Sequence, residues 1–115
     1  MKQILLDASF ILSAIRNKID MFEELQEYKI LIPEQVLQEL EGLANSKSEA
    51  KLAIKVLSKN KFQKIDLKTK NTDAGIKSFA KNNPETIIAT LDREIKKSIK
   101  NQKALIRAKK KIEIF

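Results

Sequence analysis

The sequence has 115 residues, 43% of them hydrophobic, and a formal net charge of +8. Such a chain is long enough to bury a core and too short for two, so one domain over residues 1–115 is expected. With no His, no Cys and only Gly42 and Gly75, it has no imidazole base, thiolate nucleophile, Ser-His-Asp triad, zinc site, P-loop or dinucleotide fingerprint; any chemistry rests on carboxylates, amines, hydroxyls or a hard metal.

KQILL, residues 2–6, reads as a strand with no polar face, the pattern of a parallel strand covered on both sides. A helix over Ala8–Arg16 and a second through Ile19, Phe22, Glu23 and Leu25 precede a short strand, KILI. Pro33 suits the first turn of the next helix, in which Val36, Leu37, Leu40 and Leu43 recur at helical spacing and Gly42 lies near the end. Ser46 and Glu49 have the spacing of a capping box for a helix whose inner face is Ala50, Ala53, Ile54 and Leu57. FQKIDL is the third strand, KTKN a loop, and a helix near Asp73 carries Ile76, Phe79 and Ala80. After an Asn-Asn-Pro turn, TIIATL is the second strongly apolar strand, followed by a helix from Arg93 to Lys100 and two final strands in KALIRA and KIEIF. Helices alternating with strands imply crossover connections, hence an α/β fold with a mainly parallel sheet flanked by helices on both faces.

The charge is uneven: residues 1–50 hold 5 basic and 9 acidic side chains, residues 51–115 hold 18 and 6. A basic half suggests a polyanion partner, although a lysine-rich solvated surface explains the same numbers. Lys47, Lys51, Lys55 and Lys59 recur every four residues along one helix, and Arg93, Lys96, Lys97 and Lys100 form a second basic face beginning beside Asp92. Phe10, Phe22, Phe62 and Phe79 read as core, not as stacking platforms. No apolar run is long enough for a membrane span, and the first twenty residues lack a signal-peptide pattern; with zero Cys, a cytoplasmic location is expected.

Two acids follow the two most apolar strands, Asp7 after KQILL and Asp92 after TIIATL. In open parallel sheets, sites lie beyond the carboxyl ends of the strands, so both fall on one sheet edge. Taking Val36 as zero, Leu37, Leu40 and Leu43 lie at about 100°, about 40° and about −20°, and Glu39 lies at about −60°, on the border of that apolar stripe. Asp73 stands at the start of its helix. Each has a structural explanation alone: helix caps for the two strand-end aspartates, a snorkelling or salt-bridged role for Glu39, the macrodipole for Asp73. Four carboxylates brought together repel one another unless a cation joins them, and Mg²⁺ or Mn²⁺ is the hard ion such oxygens suit.

Over essentially its whole length the chain resembles the PIN-domain ribonucleases. ILLDAS looks like their first acidic motif, VLQEL after IPEQ like the second, TDAGIKSFA like the third and IIATLDREIKK like the fourth. The resemblance implies a three-layer α/β/α fold and a metal-dependent endoribonuclease with Asp7, Glu39, Asp73 and Asp92 as its Mg²⁺- or Mn²⁺-binding acids. Ser9 matches the small polar residue two positions after the first acid. Leu91 departs from the pattern, because many members have Asn there. In this reading Asp7 and Asp92 ligate metal directly, and Glu39 and Asp73 act through water or hold a second ion.

RNA would be held through its phosphates by Arg93, Lys96, Lys97 and Lys100 and by Lys51 and Lys55. The ending LDREIKKSIKNQKALIRAKKKIEIF is most similar to PIN proteins of small-subunit ribosomal RNA processing, with VapC toxins as the near alternative. A homodimer and a protein partner, either a ribosome assembly factor or an antitoxin, follow from the resemblance alone. A non-catalytic RNA-binding scaffold of the same family is the rival reading. A receiver domain would need adjacent acids after the first strand, where Asp7 is followed by Ala8 and Ser9.

Overall fold

The computed structural model describes residues 1–108 and 110–115. In chain order its elements are β1 (Gln3–Leu6), α1 (Ala8–Arg16), α2 (Met21–Glu24), β2 (Lys29–Pro33), α3 (Glu34–Ala44), α4 (Ser48–Ser58), β3 (Gln63–Ile65), α5 (Thr72–Asn82), β4 (Ile87–Ala89), α6 (Arg93–Ser98), β5 (Lys103–Arg107) and β6 (Lys111–Ile114). The strands form one six-stranded sheet in the order β3-β2-β1-β4-β5-β6. It is parallel from β3 to β5, and β6 alone runs antiparallel, returning along β5 after Ala108 takes a left-handed φ of 51°. The fold is the expected α/β arrangement.

Side chains alternate across each strand, and the alternation divides the core in two. Ile4 and Leu6 face α1, α3 and α4, meeting Phe10, Ile11, Val36, Leu40 and Ala53. Leu5 faces the other way, with Leu31 and Ile88, and packs against Ile76 and Ala80 of α5 and Ile95 of α6. That double burial explains why β1 is an unbroken apolar run. No helix among the described residues is long and apolar enough to cross a membrane.

Several local expectations are corrected. Ser46 and Glu49 form no capping box: α4 starts at Ser48, with Lys47 in the cap position and no side-chain cap bond. The backbone N–H groups of Ser46 and Lys47 both close onto the Leu43 carbonyl, so Ser46 belongs to the last turn of α3 and its hydroxyl donates to the same carbonyl. Glu49 instead accepts a bond from Arg16 Nε at 2.8 Å. Pro33 ends β2 and occupies the cap of α3 in an extended conformation, before the helix and not in its first turn. TIIATL contributes only three residues to β4, because Thr90 and Leu91 turn toward the next helix. Ile99 is extended, so α6 stops at Ser98 and Lys100 lies off the helix that was expected to carry it.

Candidate active site

β1 and β4 are adjacent and central, with Leu6 paired to Ala89. The residues that follow continue that register: the Asp7 backbone N–H donates to the Ala89 carbonyl at 2.9 Å, and Asp7 therefore stands beside Thr90. Asp7 is only 6% exposed. Its Oδ1 accepts from the Ala8 backbone N–H at 2.8 Å and its Oδ2 from the Thr90 hydroxyl at 2.7 Å. Burial raises the Asp7 pKa, the bonds from Thr90 and Ala8 oppose that rise, and the charges of Asp73 and Asp92 add to it.

Thr90 is the hub of the site. An ionised carboxylate only accepts, so the Thr90 proton goes to Asp7 and the Thr90 oxygen is left to accept. It takes the backbone N–H of Asp92 at 3.1 Å and lies 3.4 Å from Ser9 Oγ, which is then the donor of that pair. Ser9 in turn accepts from the Leu91 backbone N–H at 3.0 Å, so the expected supporting serine does reach this network. Leu91, where the family pattern has Asn, leaves its side chain 39% exposed and contributes through its backbone.

Asp92 is half-buried and caps α6 through Oδ1, which accepts from Glu94 N–H at 2.9 Å and Ile95 N–H at 3.2 Å. Asp73 is exposed in the first turn of α5, a helix capped by Asn71. Its pKa is raised by desolvation and then by the charge of Asp92, whose side chain it also meets in a hydrogen-bond contact, while Lys77 pulls it down. Gly75 makes that placement possible: a Cβ there would lie 2.7 Å from Thr69 Cγ2 and 2.9 Å from Leu67 Cβ. The loop before α5 is held from α3, where Gln35 donates to Asp66 at 2.8 Å and accepts from the Leu67 N–H at 3.2 Å. Glu39, exposed on α3, has its pKa raised by desolvation, then by the charges of Asp7 and Asp73.

Asp7, Asp73 and Asp92 therefore lie within electrostatic reach of one another at the carboxyl edge of the two central strands, and Glu39 lies within reach of Asp7 and Asp73. They are not packed as a ready-made cage. Among the described residues no three acidic side chains are grouped closely enough to hold an ion. Two carboxylates completed by water are what Mg²⁺ ordinarily accepts, so the donor set fits such an ion in that form.

The basic residues are less convergent. Lys51, Lys55, Arg93, Lys97 and Lys100 are exposed and Lys96 partly so, and among the described residues no ion pair joins any of them to the four acids. Lys77 does act on the site, and its Nζ also lies 3.5 Å from Glu94 across the α5–α6 seam. Neither Lys77 nor Thr90 was singled out by pattern. The one available signal for Thr90 was a polar residue closing the apolar run IIA.

A family model for the PIN-like domain matches residues 4–110. The chain belongs to the PIN-like domain family. Ribonuclease VapC4 of Methanocaldococcus jannaschii is a relative at 30% identity over 128 aligned positions, spanning 100% of this chain and 98% of that protein. Among solved structures, the PIN domain endonuclease Utp24 superposes with a TM-score of 0.82 at 23% identity, covering 97% of this chain and 90% of that one. The family resemblance and the PIN fold are thus borne out.

Proposed function

We propose that this PIN-like protein is a metal-dependent endoribonuclease, a single domain over residues 1–115, acting through Asp7, Glu39, Asp73 and Asp92. The observation that carries the reading is Asp7 and Asp92 joined through Thr90 at the carboxyl ends of β1 and β4, with Asp73 within electrostatic reach of both and Glu39 within reach of Asp7 and Asp73. Such a group favours a cation, and its hard oxygen donors suit Mg²⁺ or Mn²⁺. When bound, the ion supplies Lewis-acid stabilisation of the scissile phosphate and acidifies the attacking water.

The chain's own residues do the rest. Asp7 and Asp92 are the direct donors, each fixed by hydrogen bonds to backbone, with Thr90 orienting Asp7. Glu39 and Asp73 hold outer waters or a second ion. Being exposed and of raised pKa, they are also the groups suited to accept a proton from the water. The zero histidine count leaves no imidazole to compete for that role. Arg93, Lys96, Lys97 and Lys100, with Lys51 and Lys55, bind phosphates and give affinity with little sequence choice.

RNA is the substrate class because the full-length relative is a ribonuclease. Of the two biological settings, that same relative favours a VapC-type toxin paired with a small antitoxin over ribosomal RNA processing with an assembly factor. A homodimer in the cytoplasm accompanies either.

The test combines Mn²⁺ and Mg²⁺ calorimetry with cleavage of a structured RNA, for the wild type and Asp7→Asn. Metal binding and cleavage lost together in a folded variant support the enzyme. A wild type that binds RNA, binds no metal and cuts nothing establishes the non-catalytic scaffold instead.

A further inference from the structure

Helices α5 and α6 lie side by side on one face of the sheet and run in the same direction, away from the acids. Asp73 opens α5 and Asp92 caps α6, so the seam between them begins at the candidate active site. At its far end the seam widens into a cavity of about 590 Å³. Its apolar lining comes from Ala80, Pro84 and Ile99, and three lysines, Lys77, Lys81 and Lys100, also line it. Among the described residues no acidic side chain does.

One wall of the cavity carries a built polar group. Asn101 is 5% exposed and donates from Nδ2 to the backbone carbonyls of Asn83 at 3.0 Å and Thr86 at 2.8 Å. Those two bonds fix its carboxamide and leave Oδ1 as the acceptor it can offer. An apolar slot with a fixed acceptor and a cationic lining has the character of a nucleotide site: flat base inside, phosphates on the ammonium groups.

The spacing fits a strand threaded from the acids. Asp73 and Lys81 are eight residues apart on α5, which is about 12 Å along a helix, and Lys77 lies midway. Lys100, displaced from the basic face of α6 by the end of the helix at Ser98, becomes part of this cavity.

We infer that the α5–α6 seam is a substrate subsite: single-stranded RNA leaves the acid cluster past Lys77 and places a nucleobase in the cavity, with its phosphates on Lys81 and Lys100. This rests on the nuclease reading for the location of the scissile bond, and its test is independent of cleavage. Fluorescence anisotropy with a labelled single-stranded RNA decamer, in the Asp7→Asn background to prevent cutting, compares Lys81→Ala/Lys100→Ala with Lys61→Ala/Lys111→Ala, two exposed lysines outside the seam and outside the phosphate-binding set. The seam pair is expected to raise Kd about tenfold and to flatten the salt dependence by about one unit of slope, and the control pair to change Kd less than about threefold.

A decamer of abasic ribose-phosphate tests the base slot, and the intact RNA is expected to bind about tenfold more tightly, within the range for burying one base. Equal effects of the two lysine pairs, or equal affinity for the abasic strand, would overturn the subsite. Cleavage by the Lys81→Ala/Lys100→Ala enzyme with unchanged kcat/KM overturns the subsite and leaves the nuclease intact. A wild type that cuts nothing yet binds RNA through the seam does the reverse.

Discussion

The β1–α1 and β4–α6 junctions are written alike, as an apolar run, an aspartate and a helix, yet the fold uses them differently. At the first, Asp7 follows Leu6 directly, stays in strand register and is buried beside Thr90, with only the adjacent Ala8 N–H from its own helix. At the second, Thr90 and Leu91 intervene, and Asp92 lies outside the ladder, where it caps α6 with two backbone bonds. Two residues of offset convert the same motif from a desolvated, buried charge into a half-buried cap. The contrast separates what a carboxylate costs a fold from what it contributes.

Removing charge without removing shape is the largest expected perturbation. Asp7→Asn and Asp92→Asn should each lower RNA cleavage by more than the about 10–100-fold typical of a metal site's outer partners, measured as kcat/KM with saturating Mg²⁺ or Mn²⁺. Their stabilities should part. The Asp7 pKa is raised in the folded chain, so its contribution to stability is present below the unfolded pKa and lost as pH rises through the raised folded value. Asp7→Asn escapes that loss. Its Tm advantage over the wild type in EDTA should therefore grow between about pH 4 and about pH 7, and Mg²⁺ should narrow it by stabilising only the wild type. A Tm gap that is flat with pH would mean the buried carboxylate is not the cause.

Thr90→Val keeps the volume and removes the hydroxyl that holds Asp7, Ser9 and the Asp92 backbone together. The expected loss is about 10–100-fold in kcat/KM, with the acid limb of the pH–rate profile moved upward, because the Thr90 bond is the larger of the two that oppose the rise of the Asp7 pKa. Thr90→Ser should restore most of the activity and the original limb. A merely structural threonine would cost stability and leave the limb where it was.

Both junctions were visible in sequence, because a fully apolar strand ending in an acid is a strong local pattern. Glu39 too was marked by its place on the stripe of α3. Thr90 was not, since its importance depends on which residue of β4 faces Leu6, and register is a property of pairing, not of either strand alone. The Ser46–Glu49 spacing misled for a related reason: a cap motif says nothing about whether the preceding helix will claim its serine first. Lys100 was placed on a helix face by periodicity, and the extended Ile99 removed the helix beneath it. Lys77 and the α5–α6 seam needed two helices to be packed before their side chains had neighbours at all.

The smallest effect divides the two roles assigned to Asp92. Asp92→Ala removes both cap bonds of α6, which should cost about 1 kcal/mol, or roughly 4–8 °C in Tm. Asp92→Asn retains a cap-competent oxygen and should unfold within about 2 °C of the wild type, given the near equality of Asn and Asp at such positions. Both variants should be equally inactive if the second oxygen of Asp92 serves a metal, because both lose the charge. If instead Asp92→Asn retains wild-type cleavage while Asp92→Ala loses it, the activity tracks the cap. The second junction would then be a structural copy of the first, leaving Asp7 alone to hold the ion with Glu39 and Asp73.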